Sequence, residues 1–508
     1  MSSMLYTFSL SWVCASLLAA TLSLLFFLRW TAAKKPGQLP TPPRLPIIGN
    51  LHQLGSLSHH SLARLSEKYG PVMLFNFGRI PTVVVSSAAG AQEALKIRDL
   101  AFSGRPLSSI SDRIFYGSQD LAFAQYGDEW RQMRRVCVMH LLSPKQVRSF
   151  RSVREEEVGR LVDCIRAASG AAVNMSAMII GLTCDIVCKV AFGSKYSEEG
   201  GSQIHSLMSE LSAVMGMFPM RDHIPWLGWI DWLNGMDGRV KKIAMTIDSF
   251  IEKVLEEHTS KRCDNNNDKE GSGMDYLVDI LMSLGDKEDL DVISLGRDSI
   301  KAIILDMFAA GTETTYVATE WAMAELMKHP AEMKRAQEEV RRVVGPRGNL
   351  GEEAAKEMQY LKAVIKETLR LHPPFPILFP RQTVEDTQLL GYHVPQGTTL
   401  FINAWALGRD VGSWEKPEEF RPERFIDNDV DFKGQDFQLI PFGAGRRGCP
   451  GTDFAVATME LALASLLYHF DWELPEGMRA EEMDMSESAG ITVRKKSNLI
   501  IVGKTVSQ

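Results

Sequence analysis

Phe442-Gly443-Ala444-Gly445-Arg446-Arg447-Gly448-Cys449-Pro450-Gly451 sets one cysteine in a glycine-rich loop between cationic side chains, directly ahead of an apolar, helix-like stretch from about Asp453 to Phe470. A thiolate persists at neutral pH where positive potential and N–H donors stabilise it, and a helix N-terminus supplies both. Pro450 suits a first helical position, so the helix is expected to start right after Cys449. Gly445 and Gly451 let the backbone turn and approach a flat macrocycle closely. Arg447 can neutralise a propionate, and Phe442 can cover the sulfur and limit its access to water. This is the chemistry of a thiolate ligand to haem iron. The structural alternative is a buried cysteine in a glycine-rich turn.

Further groups with chemical potential lie upstream. Ala310-Gly311-Thr312-Glu313-Thr314-Thr315 sits in the middle of the longest helix candidate, Asp298 to Lys328. Glycine and back-bonding threonines weaken a helix locally, so a bulge is expected there. Glu367 and Arg370, three apart, share a helix face and can pair; Pro422-Glu423-Arg424-Phe425 offers a second arginine. Trp130 and Arg134 are one turn apart, two donors aimed the same way, although a solvated basic face would look the same. His372-Pro373-Pro374-Phe375-Pro376 ends the preceding helix near Leu371. Ile377, Leu378 and Phe379 then follow, and with Ile114, Phe308, Ala309, Ala310, Ala489 and Ile491 they suggest a pocket lined by apolar groups, hence a hydrophobic substrate.

The elements that must position these groups read as mainly α with small β-sheets. Val72–Phe77 and Thr82–Ser86 suggest a hairpin, helical periodicity dominates from about Ala88 to Leu371, and short strands return around 388–402 and 491–502. Beyond residue 50 no linker or repeat divides the chain, so residues 51–508 read as one catalytic domain. A net charge of -7 with a pI near 6.0 argues against nucleic acid as a partner. Seven cysteines without a CxxC pair point to a reducing compartment. The first 28 residues carry no charged side chain, and Arg29, Lys34 and Lys35 follow at once. Residues 1–30 are therefore expected to be a single membrane-spanning anchor with the body cytosolic, and residues 31–50 a basic, proline-rich hinge.

The run F-x-x-G-x-R-x-C-x-G, with all five fixed positions filled, resembles the haem-binding signature of the cytochrome P-450 superfamily. The resemblance extends over essentially the whole chain. The proline hinge, the Asp306–Gly311 run and Trp229–Gly235 look most like plant microsomal members of family 71. It implies the P-450 fold and haem b, with Cys449 as iron ligand and Trp130, Arg134 and Arg381 beside the propionates. Thr314 would take the oxygen-activation position and Glu313 that of the proton-relay acid, while Glu367, Arg370 and Arg424 would form a structural triad beneath the haem. It further implies O2- and NADPH-dependent oxidation of a hydrophobic plant specialised metabolite such as a terpenoid, alkaloid or indolic compound, in the endoplasmic reticulum membrane among its lipids. Electrons would come through the FAD and FMN of a separate NADPH-cytochrome reductase docking near Cys449 on Arg131, Arg135 and Arg446. Two other readings are a haem-thiolate dehydratase or isomerase, such as an aldoxime dehydratase, and a non-catalytic haem module. The retained Thr314 and Thr315 favour the monooxygenase.

Overall fold

The computed structural model describes residues 15–23, 38–168, 170–194, 207–265, 276–285, 295–346, 348 and 350–506. Helix α1 (Ser58–Tyr69) leads into β1 (Val72–Phe77) and β2 (Ile80–Val85), an antiparallel hairpin in register from Val72↔Val85 to Phe77↔Ile80. Its turn requires glycine: Gly78 has φ +59°, and a Cβ there would meet the carbonyl of His223 at 2.5 Å. Next come α2 (Asp128–Val136), α3 (Arg151–Ala167), β3 (Ala172–Asn174), α4 (Met175–Phe192), α5 (Met236–Asn265), α6 (Arg297–Lys328), α7 (Pro330–Val344) and α8 (Gln359–Leu371). The chain continues through β4 (Arg381–Gln382), β5 (Thr387–Leu389), β6 (Tyr392–Val394), β7 (Thr399–Ile402), α9 (Thr452–His469), β8 (Phe470–Glu473) and β9 (Ile500–Thr505).

The fold is mainly helical with small sheets. Strand order β1-β2-β7-β4 joins early and late segments, β3-β9-β8 forms a second sheet, and β5-β6 a hairpin. Strands β3, β4 and β8 carry no alternating pattern in the sequence, and the strand expected over 491–502 begins only at Ile500, as β9, after a Glu487↔Lys495 bridge closes the preceding loop. Helix α6 spans about 48 Å at 1.5 Å per residue and is buried on most of its circumference, so it needs neighbours on every side. Helix α4 packs along it, and a Cβ at Gly311 would approach Val187 Cγ2 at 3.1 Å. Helix α4 is apolar and long enough to cross a membrane, but 67% of it is buried inside the protein, which makes it a core helix. The expected bulge at 310–315 is absent. Helix α6 stays regular there: Thr314 Oγ1 donates to the Ala310 carbonyl at 2.6 Å and Thr319 to Thr315 at 2.8 Å, and the backbone ladder runs on beside them.

Of the expected anchor, residues 15–23 are helical with exposed Leu17, Leu18 and Leu22; the remainder lies outside the described residues. The described end of the hinge is docked: Asn50 Nδ2 donates to the Pro42 and Pro43 carbonyls at 3.2 Å, and its Oδ1 accepts from Asn76 N of β1 at 2.9 Å.

A buried ionic triad fastens α8 to the loop chain that precedes the cysteine. Arg370 Nε and Nη2 donate to both oxygens of Glu367 at 2.7 and 2.8 Å, and Arg424 Nε reaches Glu367 Oε1 at 2.9 Å. The remaining guanidinium hydrogens of Arg370 satisfy the carbonyls of Gly408, Pro417 and Glu419. Stranding buried charges costs about 3–5 kcal/mol. Glu367→Ala, which leaves fully buried Arg370 without its carboxylate, is expected to lose about that much stability in urea unfolding followed by circular dichroism.

Candidate active site

Helix α9 starts at Thr452, with Gly451 as its cap, two residues later than Pro450 would place it. The loop before it closes through Cys449 N donating to the Phe442 carbonyl at 2.9 Å. Gly445, at φ +70°, lies so close to the upstream chain that a Cβ would meet the Leu95 carbonyl at 2.3 Å. The Phe442 ring meets Phe432 edge-on at 5.4 Å. Cys449 lines the cavity, where its side chain is exposed although protein surrounds it closely. Enclosure pushes its thiol pKa up, while the Gly451 N–H, Thr452 and the charge of Arg134 pull it down.

Four arginines line the same cavity. Arg381 is committed on two sides, to Asp99 Oδ1 and the Ala444 carbonyl, both at 2.7 Å. Arg105 donates to the carbonyls of Ala122 at 2.6 Å and Phe379 at 3.1 Å. Arg447 donates from Nε to Ser103 O and from Nη2 to Ala124 O, each at 2.8 Å, and stacks 4.4 Å over the Trp130 ring. Its Nη1 is buried without a partner, and the Arg134 guanidinium has no hydrogen bond or ion pair among the described residues. Burial, with the charge of Arg381 adding, pushes Arg447 down to about 9. The Trp130 indole N–H is engaged by the Leu121 carbonyl at 3.0 Å, so Trp130 offers the cavity its ring.

Asp99 holds the loop from the other side. Its Oδ2 accepts from Arg446 N at 3.0 Å and Nε at 2.8 Å, and Arg446 Nη1 reaches Tyr126 OH at 2.7 Å. Arg446 is thereby committed to Asp99 and Tyr126 while staying partly exposed. The exposed basic groups of α2 are Arg131, paired with Asp128, and Arg135.

The opposite wall is α6. Asp306, Met307, Ala310, Gly311, Thr314 and Thr315 face the cavity, joined by Leu378 and Phe379. Phe308 lies 200° round the helix from Ala310 and faces Phe192 and Phe250 at 6.0 and 6.3 Å, beside a separate small apolar space. Ala309 and the buried Ile114 pack into the helical core, while Ile377 packs under the β1–β2 hairpin and bridges to Asn403. Ala489 is exposed and Ile491 lies beside Gly216, neither on the cavity wall. Glu313 turns its carboxylate away from the cavity, accepting from Ser212 and Thr492.

Several groups escape sequence reasoning. Arg105 and Asp99 stand in no periodic or spaced pattern, and their partners are remote. Asp306 and Asp120 form a buried acid pair over the cavity: Asp306 Oδ2 accepts from Leu121 N at 2.6 Å, and Asp120 Oδ2 from Ala122 and Phe123 N at 3.1 and 3.0 Å. Burial pushes Asp120 up to about 6, and burial with the charge of Asp120 holds Asp306 well above the usual carboxyl range.

One cysteine at a helix start, unanswered guanidinium groups beside it and an apolar chamber opposite fit a flat, iron-bearing macrocycle with carboxylate arms. The cytochrome P450 family profile matches residues 39–502, and the chain belongs to that family. It is accordingly a haem-thiolate monooxygenase, an oxidoreductase whose cofactor is haem iron. Among plant relatives, cytochrome P450 71A1 of Persea americana is 50% identical over 460 residues, covering 90% of this chain and 91% of that protein. Norfluorocurarine oxidase of Strychnos sp is 44% identical, covering 91% of each. A zebra fish cytochrome P450 solved with abiraterone superposes with a TM-score of 0.76 at 25% identity, covering 89% of this chain and all of that one.

Two outcomes follow from this geometry. Cys449→Ala should abolish the red-shifted absorption band that thiolate ligation gives the reduced, CO-treated protein, read by difference spectroscopy. The Asp120–Asp306 pair holds its proton to higher pH than in the unfolded chain, so its contribution to stability is complete below about pH 4 and is lost as pH rises through about 6. From pH 5 to 8 the native protein should therefore lose more melting temperature than Asp306→Asn, in scanning calorimetry of the two side by side.

Proposed function

We propose that this chain is a membrane-anchored, NADPH- and O2-dependent monooxygenase that oxidises a hydrophobic plant specialised metabolite, of the terpenoid, alkaloid or indolic kind. The observation that carries the reading is one apolar chamber with Cys449 on one wall and Thr314 on the other. Haem, when bound, supplies the iron that activates O2. Cys449 holds it, Arg134 and Arg447 answer its carboxylates, and Phe442 limits water at the sulfur. Thr314 passes protons from the far wall, and Glu313, behind it on α6, is the relay acid that supplies them. Ala310, Leu378 and Phe379 orient an apolar substrate and keep bulk water out. The Strychnos relative is named norfluorocurarine oxidase, which supports an oxidative reaction on a small molecule.

The membrane placement rests on residues 1–30 as anchor and 31–50 as hinge, holding residues 51–508 at the cytosolic face of the endoplasmic reticulum. Exposed Trp226, Trp229, Trp232 and Leu233 support it, as do exposed Leu45 and Ile47. The two groups are drawn together because Gly78 N donates to Ile48 O at 3.3 Å and Arg79 N to His223 O at 3.2 Å. Tryptophan at such a surface suits the headgroup layer of a lipid bilayer. Electrons arrive from a separate FAD- and FMN-bearing NADPH-cytochrome reductase docked on the Arg131 and Arg135 face of α2, behind Trp130.

Screening a library of plant metabolites for shifts of the haem absorption band tests the substrate class; binding confined to polar or anionic compounds overturns it. Thr314→Ala is expected to keep consuming NADPH while product falls and hydrogen peroxide rises by up to about a hundredfold relative to product, the lower end of what positioned proton transfer contributes. The ratio of product to NADPH consumed, in a reductase-reconstituted assay, checks it.

A further inference from the structure

Glu313 stands beside Thr314 on α6, yet the two side chains point to different places. Thr314 lines the cavity and its hydroxyl is turned back onto the Ala310 carbonyl. Glu313 is off the cavity wall, and a single oxygen, Oε1, accepts two hydroxyl hydrogen bonds: from Ser212 Oγ at 2.7 Å and from Thr492 Oγ1 at 2.6 Å.

The two donors come from segments with no sequence relation to each other. Ser212 lies on helical residues 207–215, and Thr492 on the loop between Glu487 and Lys495. That loop is pinned. Val493 N donates to Pro374 O at 3.0 Å, and the Trp321 indole N–H of α6 donates to Val493 O at 3.1 Å. The buried Thr492 hydroxyl is thus delivered to Glu313 by a neighbour tied both to Pro374 and to α6 itself. The 207–215 helix is joined to the same loop where Gly216 meets Ile491, a Cβ at Gly216 lying 3.4 Å from Ile491 N.

We propose that Ser212 and Thr492 are positioning residues that clasp the Glu313 carboxylate outside the cavity and so set when it can turn inward to pass a proton toward Thr314. This rests on the reading of Glu313 as the relay acid. A hydrogen bond to a carboxylate is worth about a tenfold shift in an equilibrium, so each hydroxyl removed shifts the balance of outward and inward orientations by about that factor. The proton path needs both orientations in sequence. Outward, the carboxylate sits toward the surface marked by exposed Gly216, Ala489 and Gly490; inward, it meets the cavity. Unclasped, it dwells on the cavity side and delivers protons without control.

The test uses the full-length haem-loaded protein with its reductase. Ser212→Ala, Thr492→Val, their double variant, Thr492→Ser and Glu313→Gln are compared for product formed per NADPH, solvent deuterium isotope effect and melting temperature. In the resting protein, the infrared carboxylate band that vanishes in Glu313→Gln gives a readout independent of turnover. The expected result is a shifted band, a changed isotope effect and a drop of about tenfold in the product-to-peroxide ratio in Thr492→Val, with all three restored in Thr492→Ser. A double variant with the native band and native coupling overturns the clasp. If Glu313→Gln uncouples turnover and the double variant does not, the relay acid stands and the clasp alone fails. If Glu313→Gln leaves coupling unchanged, both fall.

Discussion

Positive charge inside a protein is costly unless something answers it, and here four guanidinium groups, those of Arg105, Arg134, Arg381 and Arg447, converge on one cavity. Backbone carbonyls and Asp99 answer most of their hydrogens. What stays unpaired is the Arg134 guanidinium, on the chamber wall beside Cys449, and Nη1 of Arg447, buried in the same wall. The surplus makes the site hungry for an anion with carboxylate arms. It also lowers the cost of a thiolate beneath, since Arg134 pulls against the burial that holds the Cys449 thiol neutral.

Much of the surrounding architecture can be understood as holding that charge still. Asp99 is gripped by Arg381 from β4 and by Arg446 from the cysteine loop, so it draws the sheet and the loop together at one carboxylate. Behind the loop, the Glu367–Arg370–Arg424 triad anchors α8 to the irregular chain from 408 to 425 through hydrogen bonds to its carbonyls. Such a segment has no ladder of its own, and the buried arginine substitutes for one. On the other wall, the close seating of Gly311 against Val187 fixes how α6 is rotated, hence which of its side chains meet the chamber.

The local features were legible before any coordinates. Cys449 and its glycines lie within ten residues, the hairpin at 72–85 shows β-rich runs, and the boundaries of α6 and α8 match the helical pattern and the proline stop after Leu371. What was not legible depends on rotation and distance. Phe308 and Ala310 are two residues apart and equally apolar, and only packing against α4 decides that Ala310 faces the cavity and Phe308 the core. Arg381 and Asp99 are separated by 282 positions, and nothing in either neighbourhood announces the other. Strands β3, β4 and β8, of two to four residues, are too short to show alternation and exist because a partner strand is already there.

The parallel pairing of β2 with β7 has a consequence in time. Thr82 meets Thr399, so more than three hundred residues must be synthesised before the outer edge of the hairpin finds its neighbour. At ribosomal rates of about 5–20 residues per second that is on the order of 15–60 s. Throughout that interval the backbone N–H and C=O groups of Thr82–Val85 form an open edge on a strand with three consecutive valines, the kind of surface that recruits stray strands. The cysteine loop leaves the ribosome later still. The nascent chain must therefore be shielded from aggregation well before it can hold a cofactor, and its yield in a foreign host is governed by the supply of chaperones before the supply of haem matters.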